Sequence, residues 1–131
     1  MKTDVKLGAI GIPLAAAMRR LDIPVPYVGF AIGKLPYPTI ARTESARLPD
    51  GWKHVIIVDE SIVDAPIGYL KSVIAHELLH AAFPGEGHGG RWLSAAEYLN
   101  SHMTGLRITA LYSPPPTGKA LRKNEKQKEE R

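Results

Sequence analysis

From Ile67 onward the apolar residues Leu70, Ile74, Leu78 and Ala81 recur every three or four positions, and at ~100° per residue they fall in one helical stripe. Asp64 stands where a helix cap would, Pro66 suits a first turn, and Pro84-Gly85 stop the pattern after Ala82. Ala75, Leu79 and Ala82 extend the apolar surface around one side. The second half of this helix is therefore apolar everywhere except where His76, Glu77 and His80 project. A helix with such a circumference belongs in the centre of a domain, and a polar trio on it requires a reason.

A second helix is expected from Arg91 to Met103, with Trp92, Ala96, Leu99 and Met103 on one face and Gly105 as its stop. Near the start, Pro13 is placed to open a short amphipathic helix running to Leu21, after which Pro24 and Pro26 force extended chain. Three β-rich runs follow, Tyr27 to Ile32, Thr39 to Thr43 and His54 to Val58, divided by turn residues at Gly33 to Pro38 and Leu48-Pro49-Asp50-Gly51. These predict a small antiparallel sheet, to which Leu106 to Tyr112 could add an edge strand. The fold class expected is α+β, with the sheet packed on the central helix and the helix that follows it. Residues 1–113 form one domain in this reading. Residues 114–131, which begin with Pro114-Pro115-Pro116, make a Pro-rich, charged tail expected to be disordered. There is no internal repeat.

A chain of 131 residues, 44% of them hydrophobic, suits one apolar core. Cysteine is absent, so a disulfide framework and a thiolate metal site are both excluded, and any metal must be held by histidine and carboxylate. The same absence fits a reducing compartment, and a cytoplasmic location is the expectation. The formal charge of +4 is concentrated in the tail, where Lys119, Arg122, Lys123, Lys126, Lys128 and Arg131 outnumber Glu125, Glu129 and Glu130. The body is thus close to neutral, and a polyanion-binding face is not demanded. Contact between the tail and DNA phosphates is conceivable, but glutamates interleave its basic residues and it has no aromatics for stacking; a solubilising role is preferred. No run approaches the ~20 apolar residues needed to span a bilayer, so no membrane partner is expected. Met1 to Arg20 has some traits of a signal peptide, yet Asp4, Pro13 and Arg19-Arg20 favour the amphipathic helix.

His76-Glu77-Leu78-Leu79-His80 is an H-E-x-x-H pattern, and its spacing has a mechanical meaning. Residues i and i+4 stand one above the other with side-chain bases ~5–6 Å apart, so two imidazoles can converge on one Zn²⁺ at ~2.0–2.1 Å. Glu77 projects beside that pair, where a carboxylate can take a proton from the attacking water and pass it to a leaving amine. Were these three ordinary residues of an exposed face, Ala75, Leu78 and Leu79 would have charged counterparts; none does. A catalytic zinc normally takes three protein ligands. His88, in the glycine-rich turn after the helix, is favoured as the third, with Glu97 and Glu86 as competitors. Arg91, Tyr98, His102 and Tyr112 are candidates for stabilising an oxyanion.

The segment His76 to Ala81, followed by Gly87-His88-Gly89 and Trp92, resembles the SprT-like metallopeptidases, which include the Spartan proteases acting on DNA-crosslinked proteins. The H-G-x-x-W element after H-E-x-x-H is more specific than H-E-x-x-H alone, and the likeness covers roughly Tyr27 to Asn100. It implies a minimal zincin-like domain in which His76, His80 and His88 match the zinc ligands and Glu77 the general base. The cysteine zinc ribbon that many members carry has no counterpart here.

The expected activity is therefore zinc-dependent hydrolysis of protein or peptide substrates by a monomer, against the alternative of a catalytically silent, zinc-stabilised binding module. Gly85, Gly87 and Gly90 also spell G-x-G-x-x-G, but the motif follows a helix and lacks a βαβ unit, so dinucleotide binding is set aside. His54 and His102 are read as ordinary histidines.

Overall fold

The computed structural model describes residues 3–112. The tail expected at 114–131 lies outside the described residues. Among those described, the order is α1 (Val5–Arg20), β1 (Val28–Gly33), β2 (Ala41–Leu48), β3 (Gly51–Asp59), a 3₁₀ turn (Glu60–Ile62), α2 (Ile67–Ala82) and α3 (Gly90–His102). The class is α+β.

The sheet is mixed, which corrects the antiparallel expectation. Its strand order is β1-β3-β2, with β1 parallel to β3 from Val28↔His54 to Gly33↔Asp59 and β2 antiparallel to β3 from Ala41↔Val58 to Leu48↔Gly51. The physical reason is the distribution of apolar positions. β3 buries His54, Ile56 and Val58 on one face and half-buries Val55 and Ile57 on the other, whereas β2 is exposed along most of its length. A strand apolar on both faces takes the centre, and the polar strand goes to the edge. The Pro49-Asp50-Gly51 turn closes the β2–β3 hairpin, with Gly51 at φ +128°.

α1 begins eight residues before the expected start at Pro13. Asp4 caps it, its Oδ2 accepting from Leu7 N at 3.0 Å, while its own N–H donates to Phe30 O at 2.7 Å and ties the helix to β1. Pro13 is accommodated inside the helix because Pro13 and Ala9 are both exposed, so water can satisfy the Ala9 carbonyl that loses its donor. Leu7, Leu14 and Met18 face the core, and Gly11 lets α1 approach the sheet so closely that a Cβ there would run into the Phe30 ring.

α2 lies at the centre, packed against α1, α3, β2 and β3. Leu70, Ile74, Leu78 and Leu79 are fully buried. Its N-cap residue is Pro66, with no side-chain capping bond, so Asp64 does not fill the role expected of it. α3 buries Trp92, Ala96 and Leu99, the face read from the sequence. Leu106 to Tyr112 does not form the expected edge strand. It is a strap anchored at buried Leu106 and Ile108, and the Asn100 side chain grips the backbone of Ile108 on both sides, receiving its N–H at 2.7 Å and donating to its carbonyl at 2.9 Å. A segment whose backbone partners are side chains has no need of a sheet edge. Beyond Ile108 the strap passes over the polar trio of α2.

Candidate metal centre

The last turns of α2 place His76 and His80 on one side by their four-residue spacing. Phe83 N–H closes the helix on Leu79 O at 2.9 Å, and the chain then reverses through Gly85 (φ +83°), Gly87 (φ +60°) and Gly90 (φ +53°). This reversal returns His88 to the helix. Glu86 clamps the turn: its Oε1 accepts the backbone N–H of Arg91 at 2.7 Å, and its carboxylate pairs with the Arg91 guanidinium. A Cβ on Gly90 would stand 2.6 Å from Glu86 Oε1, so the clamp and the backbone conformation both require glycine there.

The outcome is a triangle. The Nε2 atoms of His76, His80 and His88 lie 3.1 Å from one another on all three sides. Three such contacts cannot all be hydrogen bonds. The Nδ1 of His76 faces the Thr109 carbonyl at 2.8 Å, and a carbonyl only accepts, so Nδ1 carries the proton and Nε2 presents a bare lone pair to its neighbours. Ligands ~2.0–2.1 Å from a tetrahedral ion are ~3.3 Å apart, so the three nitrogens stand within a few tenths of an ångström of coordinating distance. They could hold a metal ion.

Their protonation suits that. Burial pushes the His76 imidazole down to about 4, against the upward pull of the Thr109 hydrogen bond, with the other two imidazoles lowering it further. Burial, then the neighbouring His88, brings His80 to about 4 as well. Both rings are neutral near pH 7. Trp92, fully buried, forms the floor: its ring lies 4.9 Å from His76, 5.5 Å from His80 and 4.8 Å from His88, and its Nε1 donates to the His76 carbonyl at 3.3 Å.

Glu77 is only 3% exposed, with Oε2 3.9 Å from His76 Nε2. Because His76 is neutral, this proximity is not an ion pair. Two hydroxyls hold the carboxylate. Thr43 Oγ1 lies 2.8 Å from Oε1 and 2.9 Å from the Glu77 carbonyl, sharing its hydrogen between them, and Tyr112 donates to Oε2. Burial raises the Glu77 carboxyl above its ordinary range, while the bonds from Tyr112 and Thr43 restrain the rise. A cleft of about 550 Å³ opens over the triangle, with β2 residues Ala41, Thr43 and Ser45 on one side and Ala110 to Tyr112 on the other.

His76, Glu77, His80 and His88, the residues singled out in the sequence, thus meet at one place. The competing third ligands do not join them: Glu97 is exposed on α3, and Glu86 is spent on Arg91. Of the four oxyanion candidates only Tyr112 reaches the site. Arg91 lies over the Phe83 ring at 5.1 Å, and Tyr98 stacks on His102 at 3.8 Å. His54 is buried in the sheet with Ser45 Oγ 2.7 Å from its Nδ1. Thr43 and the Thr109 carbonyl were missed. Thr43 had no mark beyond closing a β-rich run, and a backbone carbonyl has none. The chain matches no protein-family model, no curated protein and no solved structure.

Proposed function

We propose that this chain is a zinc-dependent endopeptidase of the SprT-like, zincin type. The observation that carries the reading is the equilateral Nε2 triangle with a buried carboxylate beside it and a cleft above. Three imidazoles without thiolates are donors suited to Zn²⁺, and a ligand set of three leaves a position for substrate or water. When bound, the ion supplies Lewis-acid polarisation of a carbonyl and acidifies water.

The chain's own residues supply the rest. Glu77 accepts the proton of the attacking water and delivers it to the departing amine, which leaves no covalent intermediate on the protein. Thr43 and Tyr112 aim its carboxylate, and Thr109 orients the His76 ring. In the sheet β2 pairs with β3 only, among the described residues, which leaves its other edge without a strand, and its residues Ala41, Thr43 and Ser45 line the cleft. An extended protein segment pairing with that edge would have its carbonyl carried to the triangle. We place the activity in the cytoplasm, in a monomer.

A second reading, a catalytically silent metal-stabilised binding module, draws support from one feature: both Glu77 oxygens already hold hydroxyl donors. The two are separated by metal analysis together with casein cleavage. Glu77→Gln retains one zinc per chain and loses hydrolysis if the first reading is right. Hydrolysis surviving that substitution refutes Glu77 as the base, and a zinc-loaded parent chain without hydrolysis favours the silent module.

A further inference from the structure

Asn100 stands exposed in the last turn of α3, where asparagine is a poor helix former. Its amide is spent outside the helix. Oδ1 accepts the N–H of Ile108 at 2.7 Å, and Nδ2 donates to the Ile108 carbonyl at 2.9 Å. These bonds engage the peptide groups on both sides of the Ile108 Cα. Because a peptide group is planar, holding the second one also fixes the Cα of Thr109. Only the φ and ψ of Thr109 then separate the clamp from the Thr109 carbonyl, which accepts from His76 Nδ1 at 2.8 Å. Thr109 Oγ1 donates in turn to the Leu111 carbonyl, and the next residue, Tyr112, sits on Glu77. A side chain of α3 is connected in this way to His76 and Glu77 of α2.

Docking of the strap does not depend on that clamp. Leu106 and Ile108 are buried, and Ser72 Oγ accepts the N–H of Arg107 at 2.9 Å, so the strap stays on the domain when Asn100 is removed. What Asn100 adds is direction. We infer that Asn100 is a positioning residue of the metal centre: by clamping Ile108 it aims the Thr109 carbonyl at His76 Nδ1, which keeps the proton on that nitrogen and leaves the Nε2 lone pair for a metal ion. A neutral imidazole without a fixed acceptor shares its proton between its two nitrogens, and a ring protonated at Nε2 is not a ligand there. The inference rests on the metal-binding part of the function proposed above and not on hydrolysis.

The test sets Asn100→Ala beside Ser72→Ala, which frees the neighbouring Arg107 N–H and leaves Ile108 clamped. Alanine is the best helix former, so the first substitution does not weaken α3 itself. In the metal-free chain at neutral pH, proton–nitrogen correlation NMR of the imidazoles reports the His76 tautomer. The parent and Ser72→Ala are expected to carry the proton on Nδ1, and Asn100→Ala to show both tautomers. Zinc affinity, from competition with a chelator, falls about tenfold in Asn100→Ala and stays within about twofold of the parent in Ser72→Ala. If Asn100→Ala does not fold, Asn100→Asp is read in the same way, since it keeps the bond from the Ile108 N–H and loses the one to the carbonyl. An Asn100 variant that folds with His76 protonated on Nδ1 alone overturns the inference, and so does an equal loss of affinity in the Asn100 and Ser72 variants. If the parent binds no zinc the metal reading falls, and the tautomer comparison by itself then upholds or removes the role of Asn100.

Discussion

Adding zinc to the metal-free chain at pH 7.5 is expected to raise its melting temperature substantially, and the structure sets the scale. The three Nε2 atoms are 3.1 Å apart, against ~3.3 Å around a tetrahedral ion, so binding asks almost no reorganisation of the protein. His76 and His80, with pKa about 4, have no proton to give up at this pH. The metal binds the folded triangle and not the dispersed histidines of the unfolded chain. At a free concentration a hundred times the dissociation constant the gain is ~2.7 kcal/mol. For a domain of this size that corresponds to ~8–14 °C. The assay is a circular-dichroism melt with and without a slight excess of zinc, repeated with a chelator and with His76→Ala, His80→Ala and His88→Ala. Each substitution removes one corner and abolishes most of the gain. No shift in the parent chain, or an equal shift in all three variants, would refute the argument that these imidazoles act together on one ion.

Trp92→Phe leaves a void under the triangle and removes the bond to the His76 carbonyl, at a cost of about 1–3 kcal/mol in urea unfolding; unchanged stability would contradict its place as the floor. Gly90→Ala combines a positive φ with collision against Glu86, and an expected loss of about 1–2 kcal/mol accompanies faster zinc release on dialysis, because His88 loses its clamp. In the metal-free chain the folded state takes a proton on His76 only near pH 4, whereas the unfolded chain takes it near 6.5. The stability this group contributes is therefore complete above pH 6.5 and declines as the pH falls toward 4, by roughly 3 kcal/mol. Glu77 works in the opposite sense, its raised pKa returning stability as it protonates, so Glu77→Gln shows the steeper acid loss. Urea melts at pH 7 and 4.5 measure this, and parallel curves for parent and variant would refute the burial argument. On the proposed peptidase reading, Thr43→Val, which frees one oxygen of Glu77 while preserving shape, lowers kcat for casein or peptide cleavage about tenfold or more with KM little changed, whereas Thr43→Ser restores it.

Much of the fold was legible because it is written in short-range patterns. Stripes of period ~3.6 located α2 and α3, and the Pro-Asp-Gly turn located the β2–β3 hairpin. Pro13 misled the reading of α1, since a proline inside a helix is tolerated when the freed carbonyl faces water, and exposure is a tertiary property. The sheet was misread for a related reason: which strand sits between the others depends on what covers each face, and neighbours in sequence need not be neighbours in the sheet. The strap was misread because Leu106 to Tyr112 alternates like a strand but finds its partners in the Asn100 side chain, His76 and Glu77.

The amino-acid sequence alone determined the placement of His76, Glu77 and His80 on one helix, because a rise and turn common to all α-helices convert a spacing of four into adjacency. It also excluded thiolate from the metal site and marked His88 by its glycines. Only the tertiary structure decided how the third imidazole closes the triangle, which groups hold Glu77 and which carbonyl orients His76. Thr43 and Tyr112 reach Glu77 across separations of 34 and 35 residues, and Thr109 reaches His76 across 33. Contacts over such distances follow from strand order and from the path of the strap, which are set by the packing of the whole core.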